Sequence, residues 1–164
     1  MNRPQRKRLR LPNYNYAQYG CYFVTICTKN RDLLLGKIIN GEMQLSAIGN
    51  IVQKALLSVL QEYSQSEIPS YIIMPNHLHF IWFNRDDVSL SFVIKMIKGR
   101  AGFAYRHYAL KNNLPLLSLW QRSFYDHIIR DDKDYERIVE YIENNPIMWE
   151  LDKLNPINIA KIKS

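Results

Sequence analysis

No run of about 18 apolar residues occurs in this chain, so no membrane-spanning helix is expected. Cysteine is scarce: Cys21 and Cys27 are the two, six positions apart in a β-branched, aromatic run. In a strand that spacing is about 20 Å, too far for a bridge, so both read as reduced packing residues of a cytoplasmic protein. The basic start, "MNRPQRKRLRLPNYNY", leads into no apolar segment, and no secretory signal is expected. Internal repeats and low-complexity stretches are also missing. For 164 residues, the simplest organisation is a basic arm over 1–13 and one domain over 14–164.

Acids are missing from two places. Residues 1–10 carry Arg3, Arg6, Lys7, Arg8 and Arg10 without an Asp or Glu. Residues 88–125 carry Lys95, Lys98, Arg100, Arg106, Lys111 and Arg122, again without one. The net charge is +7, so the remainder of the chain is acidic. Each zone alone reads equally well as a solvated helix face or a tail. Together, with Phe103, Tyr105 and Tyr108 interleaved, they point to a polyanionic partner, nucleic acid first.

What is present divides by period. "CYFVTICT" (21–28) alternates as a strand, and Asn40-Gly41 between short apolar runs predicts a hairpin over 36–46. Ile48, Ile51, Val52, Ala55, Leu56 and Val59 at helical spacing predict a helix to about 63. Strands follow at about 67–74 and again through "HLHFIWF", separated by a turn, kink or bulge at Pro75-Asn76. A second helix is predicted over 88–110, where Gly99 and Gly102 either weaken it or let a backbone approach. "SFYDHIIR" (123–130) reads as a strand, and "DDKDYERIVEYIENNP" (131–146) as a helix with acids at its positive end and a proline stop. That order predicts an α+β fold, a ferredoxin or RNA-recognition-like antiparallel sheet with helices on one face and a terminal helix added.

Within "YIIMPNHLHF" (71–80), His77 and His79 share one strand face while Leu78 and Phe80 point the other way. Two neutral imidazoles so placed can reach one metal ion; they are equally a hydrogen-bonded pair on a sheet surface. A metal needs a further ligand, and the last helix offers one. Tyr135, Ile138 and Ile142 mark its buried stripe, with Asn145 at the edge and Tyr141 on the flank, one turn apart. On spacing alone, Tyr141 is also an ordinary half-buried aromatic and Asn145 a C-cap before Pro146. His127 reads as structural or site-assisting, and His107 as meeting phosphate or solvent.

"GCYFVTICTKN", "IIMPNHLHFI", "WQRSFYDHIIR" and "YIENNPIMWEL" resemble the IS200-like (Y1) transposase superfamily, and within it the REP-associated tyrosine transposases, over nearly the whole chain. The resemblance implies a bacterial HUH single-strand DNA endonuclease and strand transferase. It implies that His77, His79 and Asn145 hold Mg2+ or Mn2+, and that Tyr141 attacks DNA to leave a 5′-phosphotyrosine and a free 3′-OH. Some relatives carry glutamine where Asn145 stands. The implied partner is single-stranded or hairpin DNA, with no membrane, and the implied state a monomer or homodimer. Arg6, Lys7, Arg8 and Arg10 of the arm, with Lys95, Lys98, Arg100, Arg106 and Arg122, are the expected DNA contacts. Two other readings fit the same text: a nicking enzyme for replication or transfer, and a decayed module that only binds single strands.

Overall fold

Four strands alternate between two buried faces, and this alternation places everything else. The computed structural model describes residues 20–158. The basic arm, with Arg6, Lys7, Arg8 and Arg10, lies outside the described residues. Strand β1 (Gly20–Cys27) pairs antiparallel with β5 (His77–Asn84) on one side and β6 (Tyr125–Ile129) on the other. Strand β4 (Tyr71–Met74) completes the sheet, in the order β4-β5-β1-β6. Helices α1 (Ala47–Ser58) and α2 (Leu90–Lys111) make the two crossovers, which gives the βαββαβ plan of ferredoxin-like folds. A separate hairpin, β2 (Gly36–Ile39) and β3 (Glu42–Leu45), precedes α1. Its turn residues Asn40 and Gly41 both have positive φ (52° and 76°), as the expected tight hairpin requires.

Tyr22, Val24, Ile26, Leu78, Phe80 and Trp82 face α1 and α2 and form the main core with Val52, Leu56, Val93 and Ile97. The other face, with Cys21, Phe23, Ile81 and Ile129, packs against Ile138 and Ile142 of α3 (Asp132–Asn144). The added helix therefore lies alone on the opposite side of the sheet from the crossover pair. Asp131 caps it, accepting the Asp134 N–H at 2.9 Å, and Asp132 and Asp134 occupy the electropositive first turn.

Two boundaries differ from the pattern expected. The strand predicted from residue 67 pairs regularly only from Tyr71, because Glu67 pairs with Phe83 and Tyr71 with Phe80. That leaves one extra residue on the Glu67 side, a bulge beside Pro69, which has no N–H to give the ladder. The first helix ends at Ser58 and tightens into a 3-10 turn over Val59–Gln61. Both cysteines are free, as expected. No helix among the described residues is long and apolar enough to cross a membrane.

The glycines also separate by role. A Cβ on Gly49 would stand 2.0 Å from the Leu35 carbonyl oxygen, so α1 can lie against that loop only through a glycine. Gly99 and Gly102 have nothing within 4 Å of such a carbon, and α2 runs through both without a break. Neither serves close packing within the chain. Gly99→Ala should therefore stabilise the protein by about 0.4–1 kcal/mol, read as a rise of roughly 2–3 °C in melting temperature.

Candidate active site

The register of the central strands builds the site. His79 lies opposite Thr25 and His77 opposite Cys27, so both imidazoles project from the face that α3 covers. Both rings are buried, His77 completely. Their centroids are 4.5 Å apart, and His79 stacks on Phe23 at 5.1 Å.

Asn76 fixes the state of His77. Its amide nitrogen donates to two carbonyl oxygens, Leu154 O at 2.8 Å and Arg31 O at 3.2 Å, which settles which end of the amide is nitrogen. Its Oδ1, an acceptor only, then lies 2.8 Å from His77 Nδ1, so Nδ1 carries the ring proton. His77 Nε2 is left as a bare lone pair, buried and without a partner. A protonated Nδ1 held by an oxygen and a lone pair on Nε2 is the arrangement a metal-ligating histidine uses. Because Asn76 is fully buried, Asn76→Ala strands two carbonyls and an imidazole N–H. It should cost about 3–5 kcal/mol, seen as a fall on the order of 10 °C in the melting midpoint.

His79 Nδ1 lies 2.8 Å from Thr25 Oγ1, and its Nε2 is 3.3 Å from the Tyr141 hydroxyl. Tyr141 stands edge-on to Phe23 and His79, with ring centroids 5.9 and 5.3 Å away, and is 41% exposed. Its ring is thus packed while the hydroxyl opens on a cleft. One turn on, Asn145 caps α3 and donates its amide nitrogen back to Tyr141 O at 3.2 Å. The buried Asn145 Oδ1 has no partner. The capping and site readings of Asn145 are therefore compatible, since one end of the amide serves each.

Burial dominates the electrostatics. It lowers the His77 pKa to about 3, with the Asn145 amide acting against it and the Arg31 charge adding to it. His79 is also held well below the ordinary imidazole value, by burial first and then by its neighbour His77. Both rings are neutral near pH 7, the form that binds metals. Burial raises the Tyr141 phenol above its usual 10, the Asn145 amide opposes this, and the Asp152 charge adds to it. A phenol so placed needs activation before it can attack anything.

Two orphaned acceptors, His77 Nε2 and Asn145 Oδ1, beside a second neutral imidazole fit a divalent cation. Among the described residues, no three His, Cys, Asp or Glu side chains already form a metal cluster.

The cleft in front of these groups has a volume of about 930 Å³. Arg31, Arg137 and Lys153 line it, and the charge and hydropathy pattern had singled out none of them. Arg31 follows Asn30 in a pair of left-handed residues (φ 61° and 55°), a local strain that seats this loop at the cleft wall. Arg137 precedes Tyr141 by one helical turn. Of the cations expected from sequence, Arg122 sits between two cleft residues, Gln121 and Ser123. Lys98 donates to the carbonyls of Gln121, Arg122 and Ser123 and so ties that loop to α2. Arg100 pairs with Glu62 and Ser58. Lys95 and Arg106 lie on the outer side of α2, across the sheet from the cleft. His127 lines the cleft with Nε2 held at 2.6 Å by Asp134, whereas His107 is exposed on α2, its Nδ1 3.0 Å from Phe103 O.

Residues 17–145 match the family model described as "Transposase IS200 like". The chain belongs to the IS200-like transposase family. An uncharacterized protein of Haemophilus influenzae is 40% identical over 175 residues, covering 91% of this chain and 92% of that protein. A REP-associated tyrosine transposase of Escherichia coli K12 is 26% identical over 136 residues, 80% of this chain and 69% of its own. Among solved structures, a REP-associated tyrosine transposase bound to a REP hairpin superposes with a TM-score of 0.62. It is 26% identical, and the match covers 88% of this chain and 76% of that one. The α+β architecture expected from sequence is thus the family's own, and the family is one of tyrosine transposases.

Proposed function

We propose that this IS200-like transposase cleaves and rejoins single-stranded DNA through Tyr141, with a divalent cation held by His77, His79 and Asn145. The observation that carries this reading is the convergence of a cleft-facing phenol, two neutral imidazoles and two orphaned acceptor atoms at one point. The cation, Mg2+ or Mn2+, would draw charge from a non-bridging phosphate oxygen and so make phosphorus more electrophilic. Tyr141 Oη forms a bond to phosphorus and loses its proton, while the bond to the 3′ oxygen breaks and that oxygen gains one. The products are a 5′-phosphotyrosine and a 3′-OH. One phosphoester replaces another, so a different 3′-OH can reverse the step without a nucleotide cofactor.

Arg31 and Lys153 supply positive charge along the cleft wall, with Arg122 beside them and Arg137 paired to Asp134, to hold phosphates on either side of the scissile bond. Lys95 and Arg106, remote from the chemistry, serve backbone contacts further along the substrate. The solved relative bound to a REP hairpin supports a hairpin as the substrate form. Tyr141 reaches His79 within one chain, the contact that an active site complete in a monomer requires.

The test is direct. Incubation with end-labelled hairpin oligonucleotides and Mn2+ should give a protein–DNA adduct that survives SDS. No adduct across a broad pool of hairpins and flanks would defeat the enzymatic reading and leave a binding module.

A further inference from the structure

We propose that Asp152 is an additional ligand of the divalent cation, supplying the carboxylate that two imidazoles and an amide lack. The inference rests on the metal-dependent reading above and extends it to a residue outside the family match, which ends at residue 145. Asp152 follows the short 3-10 turn Trp149–Leu151 that folds the chain back over the site after α3. Its side chain is only 7% exposed, and Oδ2 lies 3.8 Å from His77 Nε2. That distance is too long for a hydrogen bond, and His77 Nε2 carries no proton, because Asn76 holds the ring proton on Nδ1. A lone pair and a carboxylate oxygen thus face each other in a buried place, a pairing that one shared cation would satisfy. Two ligand atoms each about 2.1 Å from one ion stand roughly 3 to 4.2 Å apart, so the observed separation suits a shared ion.

The carboxylate is also held for the task. Asp152 Oδ1 accepts the Leu154 N–H at 2.7 Å, which leaves Oδ2 turned toward His77. The Asp152 carbonyl accepts from Asn155 N at 3.0 Å and Asn158 Nδ2 at 3.0 Å, pinning the turn. Charge points the same way. Asp152 is the one carboxylate among the residues lining the cleft, where Arg31, Arg137 and Lys153 are cationic. Two imidazoles and an amide carry no charge and offer one oxygen, a weak shell for a hard cation; a carboxylate adds both a charge and an oxygen.

Metal-stripped full-length protein titrated with Mn2+ alone tests this, by calorimetry and by loss of the free-ion electron paramagnetic resonance signal. Wild type should take up one ion. Asp152→Asn and Asp152→Ala should each weaken binding by about tenfold or more, Asp152→Glu should retain more affinity than the alanine variant, and metal-free melting should confirm that each is folded. Unchanged Mn2+ affinity in both Asp152→Asn and Asp152→Ala, with binding abolished in His77→Ala, would overturn the proposal and leave the metal site standing. No Mn2+ bound by wild type would overturn both.

Discussion

Tyr141→Phe should abolish the covalent DNA adduct and lower strand cleavage by at least roughly 10⁴-fold, while hairpin binding stays within about threefold of wild type. The size of the effect follows from where the hydroxyl sits. The phenyl ring packs against Phe23 and His79 and stays in the variant, so the wall of the cleft keeps its shape. The lost oxygen meets His79 Nε2 at 3.3 Å and the Asn145 amide at the cleft surface, contacts too weak to matter to the fold. What disappears is the nucleophile. Gel-resolved adduct formation and an electrophoretic binding assay on one preparation separate the two outcomes. Persistent adduct would move the nucleophile to another side chain.

His77→Ala has the second large effect, on two separate measurements. Mn2+-dependent cleavage should fall by about 10³-fold or more, since the bare Nε2 lone pair is removed from the centre of the acceptor cluster. The variant should also be less sensitive to acid. In the folded protein this ring stays neutral down to about pH 3, whereas in the unfolded chain it takes up a proton near 6.5. Between those values the unfolded state binds more protons, so stability falls as pH falls, by about 1.4 kcal/mol per unit at most from this ring. The contribution is fully present above about pH 7 and lost progressively on acidification toward 3. Melting midpoints at pH 7.5 and 5.0 should therefore differ less in His77→Ala than in wild type. An equal difference would mean that His77 titrates as an exposed imidazole does.

The parts of the site that were legible in the sequence are those set by a local period. Alternation puts His77 and His79 on one face, and a helical turn puts Tyr141 beside Asn145; neither needs tertiary information. The element order also survives almost intact, with the bulge at Pro69 and the early end of α1 as the departures. Charge was the poorer guide. Lys98 and Arg100 sit in the acid-free stretch that suggests DNA, yet loop carbonyls, Glu62 and Ser58 hold them within the fold. The cations that line the cleft, Arg31, Arg137 and Lys153, stand in unremarkable text near acids. Whether a charged side chain ends at a site depends on which loops meet there, and no local pattern records that. Asn76 is the clearest case: next to Pro75 it reads as a turn residue, and only its bonds to Arg31 and Leu154 reveal that it sets the proton on His77.

Those same bonds have a consequence for the order of biosynthesis. The Asn76 amide is anchored by the carbonyl of Leu154, 78 positions later in the chain. On a ribosome every strand, both crossover helices and the tyrosine helix are synthesised before that carbonyl exists. Until it does, the Asn76 amide has the Arg31 carbonyl alone to set its orientation, and with it the proton on His77. A histidine pair wired in this way takes its final protonation pattern only when the turn after α3 has folded back.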